Sequence, residues 1–150
     1  MTLQETINFF ESLKLETTKK SEIKIYNKYL HILTELKARD FSLDEIESIE
    51  AELDSLHLES NPKNRKKYFK KALSEFEKYL KETYSLTSKG YYTNLGVAYG
   101  SLLGSLVGVL ISQRSEGTLA ISYGISIGMF IGLLVGRYMD SQAKVAGNML

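Results

Sequence analysis

Two long stretches without charge constrain this chain most. Leu95 to Ile111 runs for 17 residues without a charged side chain, and Thr118 to Gly136 for 19. An apolar helix of about 20 residues, rising ~1.5 Å per residue, matches the ~30 Å hydrocarbon core of a bilayer. Both runs therefore read as transmembrane helices, over about residues 92–112 and 118–138. The connection between them, Gln113-Arg114-Ser115-Glu116-Gly117, is polar and five residues long. Two spans on so short a loop must form an antiparallel hairpin.

The glycines inside these runs are periodic. Gly96, Gly100, Gly104 and Gly108 recur every fourth residue in the first span, and Gly124, Gly128, Gly132 and Gly136 do the same in the second. These eight are most of the eleven glycines in the chain. Helices in lipid associate through close backbone approach, which small residues permit. Glycine weakens a water-exposed helix by about 1 kcal/mol relative to alanine, which argues against accidental placement. The series can pack one helix on the other within a hairpin, or can also join neighbouring copies into a closed ring. A four-residue repeat advances about 40° per step, so each stripe winds around its helix. Such winding favours a ring of right-handed crossings over a single untilted partner.

A second stripe runs along the first span. Asn94, Ala98, Ser101, Ser105, Gly108 and Ser112 fall within roughly 80° of one another. The small and polar groups either bond back to their own helix, bending it mildly, or line a wetted path. Asn94, Ser101, Ser105 and Ser112 are the pore-lining candidates. Thr118, Ser122 and Ser126 start a similar line on the second span, which then turns into Met129 and Leu133, as in an outer or packing helix. Neither span carries an internal carboxylate or base, so a proton relay has no residue to work with.

Residues 1–88 read as helical. Thr2 with Glu5, and Ser42 with Glu45, form capping boxes. Leu3, Ile7 and Phe10 share one face of a short first helix, and Thr17 and Thr18 break it. Ile23, Tyr26, Leu30 and Leu33 mark a second helix over about 19–38; Leu43, Ile46, Ile49, Leu53 and Leu56 mark a third. A fourth is expected to start at Asn61 as cap with Pro62 at its first position, and to bury Phe69, Ala72, Leu73, Phe76 and Leu80. The fold class is thus all-α: a four-helix cytoplasmic domain over 1–88, a transmembrane hairpin over 89–140, and a short tail over 141–150.

The N-terminus is acidic and polar with no apolar signal core, so the domain is expected to stay in the cytoplasm. The hairpin then returns the C-terminus to the same side. Lys89, Arg137 and Lys144 flank the membrane there, against Arg114 in the loop, as the positive-inside rule requires, and Tyr91, Tyr92 and Tyr138 fit an aromatic belt. The expected location is a bacterial inner membrane, with both termini cytoplasmic.

Net charge is +1, but the charge is segregated. Asp40 to Glu59 is acidic, whereas Lys63, Arg65, Lys66, Lys67, Lys70 and Lys71 crowd the start of the fourth helix. Two solvated faces can attract each other within or between subunits. The basic residues are also candidates to bind a partner, a nucleic acid, a nucleotide, lipid headgroups, or an anion at the Asn61 helix start. With no cysteine, two isolated histidines (His31 and His57) and no catalytic motif, neither an enzyme nor a metal site nor a cofactor is expected.

The hairpin with Gly96-x3-Gly100-x3-Gly104-x3-Gly108 resembles glycine-zipper membrane proteins, which tend to oligomerise. A small helical domain followed by such a hairpin is similar in layout to the membrane effectors of bacterial anti-phage systems. That resemblance implies a homo-oligomer that answers a cytoplasmic sensor or regulator and permeabilises the inner membrane through a gated pore. Separately, Asn61 to Tyr84 resembles the helical core-binding domain of tyrosine recombinases, and without that family's catalytic domain it implies only a nucleic-acid-binding or structural fold. The alternative to a pore is a non-conducting anchor or scaffold whose charged domain recruits a partner at the bilayer.

Overall fold

The computed structural model describes residues 1–60, 63–112 and 119–150. Its described residues form six helices: α1 (Leu3–Glu16), α2 (Lys20–Lys37), α3 (Leu43–Ser55), α4 (Arg65–Tyr84), α5 (Tyr91–Ser112) and α6 (Leu119–Val145). They divide into two units, Met1–Leu86 with Leu150, and Thr87–Met149.

In the first unit the helix starts follow from local chemistry. Thr2 and Glu5 cap α1 reciprocally, as Ser42 and Glu45 cap α3. At α4 the expectation is corrected. The helix begins at Arg65, and Asn64, not Asn61, is its cap, with its side-chain oxygen accepting from the Lys67 N–H at 3.1 Å. Asn61 and Pro62 lie outside the described residues. Two asparagines three residues apart offer the same capping chemistry, and the later one is used.

The apolar faces of the four helices close on an aromatic centre. Phe10 stacks on Tyr29 with ring centroids 4.1 Å apart, and Phe69 meets Phe10 and Tyr26 edge-on. Leu33, Leu36, Ile49, Leu53, Phe76 and Leu80 complete the buried set, and the terminal Leu150 belongs to it. On α2 the buried face is carried by Tyr26, Tyr29, Ile32, Leu33 and Leu36; the heptad-like reading placed Ile23 and Leu30 there, and both are only half-buried. The tyrosines of α4 reach α3 and the turn after it: Tyr68 donates to the carbonyls of Leu56 and His57, Tyr84 to that of Glu45, and the Tyr79 hydroxyl meets that of Ser48 at 2.7 Å.

The acidic α3 does not neutralise the basic α4. Glu50 instead accepts from the Leu3 N–H at 2.8 Å, Asp54 pairs with the Met1 amine, and Glu45 is taken up in its own cap. The helix that looked like an electrostatic mate for α4 holds the start of α1. On α2, the Thr17 hydroxyl and then Lys19 hold the buried Glu22 carboxyl below the usual carboxylate range.

Tyr26 and Tyr29 are fully buried, and neither hydroxyl has a hydrogen-bond partner among the described residues. Burial pushes both phenols up. A buried donor left unpaired retains its desolvation penalty, of order 1–3 kcal/mol. Tyr29→Phe keeps the ring stack and removes that penalty. It should stabilise the domain by about 1 kcal/mol, seen as a rise in the thermal midpoint; a lower midpoint would mean that the hydroxyl has a partner.

Candidate membrane-spanning hairpin

The second unit is an antiparallel pair, α5 against α6, and all eight periodic glycines lie where the two helices meet. A β-carbon added to any of them would fall closer than 3.0 Å to a backbone atom of the facing helix. The pairs run in antiparallel order: Gly96 against Gly132, Gly100 against Gly128, Gly104 against Gly124. Gly108 then meets Ala120 and Ile121, and Gly136 meets Tyr92 and Thr93. Backbone thus packs on backbone along the whole contact. The stripes that wind around each helix are followed from end to end by one partner, so the glycines satisfy their packing within a single hairpin. The connection expected at 113–117, and Thr118, lie outside the described residues.

With the glycines turned inward, the large side chains turn outward. Of the large apolar side chains left exposed, all but Leu15 and Leu43 belong to α5 and α6. Leu102, Leu103, Leu106, Leu110 and Phe130 are each more than 60 % exposed, a degree that decides the character of this surface. Both helices are long and apolar enough to cross a membrane. α5, with 22 residues, spans about 33 Å. On one side the close approach leaves an apolar groove of about 860 Å³, walled by Tyr99, Leu103 and Val107 on α5 and by Tyr123, Ile127 and Ile131 on α6.

The polar stripe stays on the outside of this contact, apart from Gly108, which lies within it. Asn94 and Ala98 are exposed, and Ser101, Ser105 and Ser112 half-buried. Each serine hydroxyl donates to a carbonyl of its own helix: Ser101 to Val97, Ser105 to Leu102 and Ser112 to Val109, at 2.7–2.9 Å. Ser126 on α6 does the same to Ser122. These hydroxyl protons are used internally, as serine in an apolar helix commonly arranges.

The open end of the hairpin is closed by a residue that the sequence reading passed over. The second helix does not end near residue 138, and 141–150 is not wholly a tail: α6 continues to Val145. That extension carries Asp140, buried to 9 % exposure, onto the first turn of α5. Its carboxylate accepts from the N–H groups of Tyr92 and Thr93, both at 3.0 Å, and from the Thr93 hydroxyl at 2.6 Å. The first N–H groups of a helix have no partner within it, and a cap side chain normally supplies one. At the head of α5 stands Gly90, whose carbonyl accepts from Asn94 but which has no side chain to offer. Asp140 does the capping from the other helix, where its charge also opposes the positive end of the α5 dipole. The signal in the sequence was modest: Asp140 is the one acid after Glu116.

Beyond Val145 a Schellman turn reverses the chain. Gly147 takes φ +74°, its N–H donates to Lys144, and Asn148 donates back to Ala143. The Asn148 carbonyl then accepts from Thr87 N–H at 2.8 Å, and Thr87 and Met149 form an isolated parallel bridge.

The remaining candidates lie in the first unit. Arg65 pairs with Glu16 and Lys71 with Glu75, whereas Lys63, Lys66, Lys67 and Lys70 are exposed. His31 and His57 are exposed as well, and no group of acids and histidines among the described residues could hold a metal ion. No protein-family model, curated protein sequence or solved structure matches this chain.

Two substitutions separate the two devices of the hairpin. Gly132→Ala puts a methyl group against the Gly96 carbonyl and should destabilise the helix pair by about 1–3 kcal/mol. Asp140→Ala should cost about 1–2 kcal/mol and speed hydrogen exchange at the Tyr92 and Thr93 amides. Denaturing-detergent titration of helix content measures both losses, and only the second should be eased by asparagine in place of alanine.

Proposed function

We propose that this chain is a two-span integral membrane protein in which the 87–149 hairpin sits in the bilayer as one pre-packed unit and holds the 1–86 helical domain at the membrane surface. The apolar outer surface of α5 and α6 carries this reading. Burying a large aliphatic or aromatic side chain is worth about 1.5–3 kcal/mol. The exposed side chains of the hairpin together represent tens of kcal/mol that water leaves unclaimed and lipid supplies. The basic residues beside the spans, Lys89, Arg137 and Lys144, support a cytoplasmic location for both termini in a bacterial inner membrane.

A second reading rests on a different observation. Because the glycines face inward, the surface line of Asn94, Ala98, Ser101, Ser105 and Ser112 is free to meet other copies. Several hairpins that turned this line toward a common axis would form a gated pore. The chain would then act as the membrane-permeabilising effector of a defence system, held silent until a cytoplasmic sensor or regulator releases it. The serine hydroxyls, already bonded to their own carbonyls, give such a path acceptors and few free donors.

Cell fractionation and membrane potential test the two together. The protein should stay with membranes through alkaline carbonate extraction, and a cysteine placed at Leu106 should resist aqueous maleimide; release by carbonate rejects both readings. Depolarisation of expressing cells that is lost in Ser101→Leu with Ser105→Leu, while insertion persists, selects the pore. An intact membrane potential, with the domain retained at the membrane by an unrelated two-span hairpin in place of 87–149, selects the anchor.

A further inference from the structure

We infer that the outer face of α4 is a docking surface for anionic lipid headgroups. The inference rests on the membrane reading above and adds a partner for the helical domain itself.

The charges around α4 can be followed one by one. Glu16 answers Arg65, Glu75 answers Lys71, and Glu82 answers Lys78. Glu77 answers Lys28 on α2. On α3, Glu45, Glu50 and Asp54 are committed to helix starts and to the Met1 amine. Lys63, Lys66, Lys67 and Lys70 are exposed and form no ion pair with any described residue. Lys66, Lys67 and Lys70 fall within about 100° of one another on the helix. Their placement is unfavourable for α4 alone. The first turn of α4 contains no acid, so the helix dipole adds to the positive charge instead of opposing it. Lys66–Lys70 and Lys67–Lys71 are also like-charged neighbours four residues apart, a spacing that destabilises a helix. An external layer of negative charge relieves both conflicts.

The shape of the patch selects the kind of anion. It is a convex helix face of lysines, which act as point charges without the bidentate geometry of arginine. The tyrosines of α4 are turned to the α3 side, Tyr79 and Tyr84 bonded to Ser48 and Glu45 and Tyr68 to the carbonyls of Leu56 and His57 just beyond that helix, so the lysine face presents no tyrosine ring for a base to stack on. In the polar recess beside it, Glu16 already answers Arg65 and Glu22 answers Lys19, which leaves Lys63 alone to attract a single phosphate there. A diffuse sheet of headgroup charge fits what remains. Clusters of four or more basic residues on an amphipathic helix bind anionic leaflets in this way. The chain also tethers the patch: residues 85–90 between α4 and α5 reach at most about 20 Å when fully extended, and Lys66 to Lys70 lie about 21–27 Å along α4 from that link, so the patch stays within about 50 Å of the hairpin.

The chain has no cysteine, so one can be placed at will. Ser74→Cys puts a nitroxide on the exposed face beside Lys70, and Leu106→Cys puts one on the outer surface of α5. Both full-length variants are reconstituted in nanodiscs of phosphatidylcholine alone and of an equimolar mixture with phosphatidylglycerol, and label accessibility to a headgroup-chelated nickel ion is measured. In the anionic discs the Ser74 label should approach the headgroups, and high salt should withdraw it. Each of Lys63, Lys66, Lys67 and Lys70 changed to glutamine should lower the docked-to-undocked ratio about fivefold, with helix content unchanged. Equal accessibility in the two kinds of disc overturns the inference if the Leu106 label reports hydrocarbon; a Leu106 label in water shows that the membrane reading itself has failed. Tight binding of single-stranded DNA to the protein in neutral discs, lost with the same four glutamines, would overturn the lipid assignment in favour of nucleic acid.

Discussion

Close approach of two backbones governs this molecule. Along α5 and α6 the glycines remove every side chain from between the helices, and the consequences follow in order. With no β-carbons between them, the helices meet at backbone distance, and weak contacts accumulate over the whole length of the pair. With glycine filling the contact, most Leu, Ile, Val and Phe side chains of the two helices face outward, while Val97, Ile121, Ile125 and Leu133 are half-buried. A surface so apolar is unfavourable in water and favourable in lipid. The element that makes the hairpin self-sufficient is therefore the one that sends it to the bilayer.

The helical domain solves the opposite problem by ordinary means. Its core is aromatic, centred on Phe10, Tyr29 and Phe69, and its acidic residues are spent on helix starts. Glu5 and Glu45 serve their own helices, while Glu50 serves the start of α1 from α3. Acids placed on helix N-termini leave Lys66, Lys67 and Lys70 of α4 without an ion pair among the described residues, so the net charge near zero conceals a domain with one positive face.

Much of this was readable without coordinates, and the parts that were not share a physical reason. The capping boxes at Thr2 and Ser42, the buried face of α4, the Ile49 and Leu53 part of the α3 face (Leu43, read onto it, is exposed) and the two apolar spans are set by residues three or four apart. They are local and leave a periodic trace. Asp140 caps a helix whose first residues lie almost fifty positions earlier, and no spacing rule reaches that far. Asn64 was missed in favour of Asn61 because Asn-Pro is the stronger helix-start signal, although either asparagine could cap. The α3–α4 charge pattern suggested mutual attraction, but a carboxylate gains more from unpaired backbone N–H groups than from a solvated lysine. The polar stripe on α5 was legible as a stripe, but the direction each serine hydroxyl takes is decided by which carbonyl lies within reach.

The four-residue spacing has one more consequence, for alignment. An interface of glycines every fourth residue nearly repeats itself when one helix slides along the other by four positions, about 6 Å. Gly96 would then face Gly128 in place of Gly132, with little change in contact, as a ruler slid by one graduation still lines up. Smooth backbone packing holds the helices together but does not tell them where to stop. The polar end supplies that stop. Asp140 matches one set of N–H groups, at Tyr92 and Thr93, and Thr87 meets Asn148 only when the two ends are level. Adhesion and alignment are thus divided between the apolar length of the hairpin and its polar mouth.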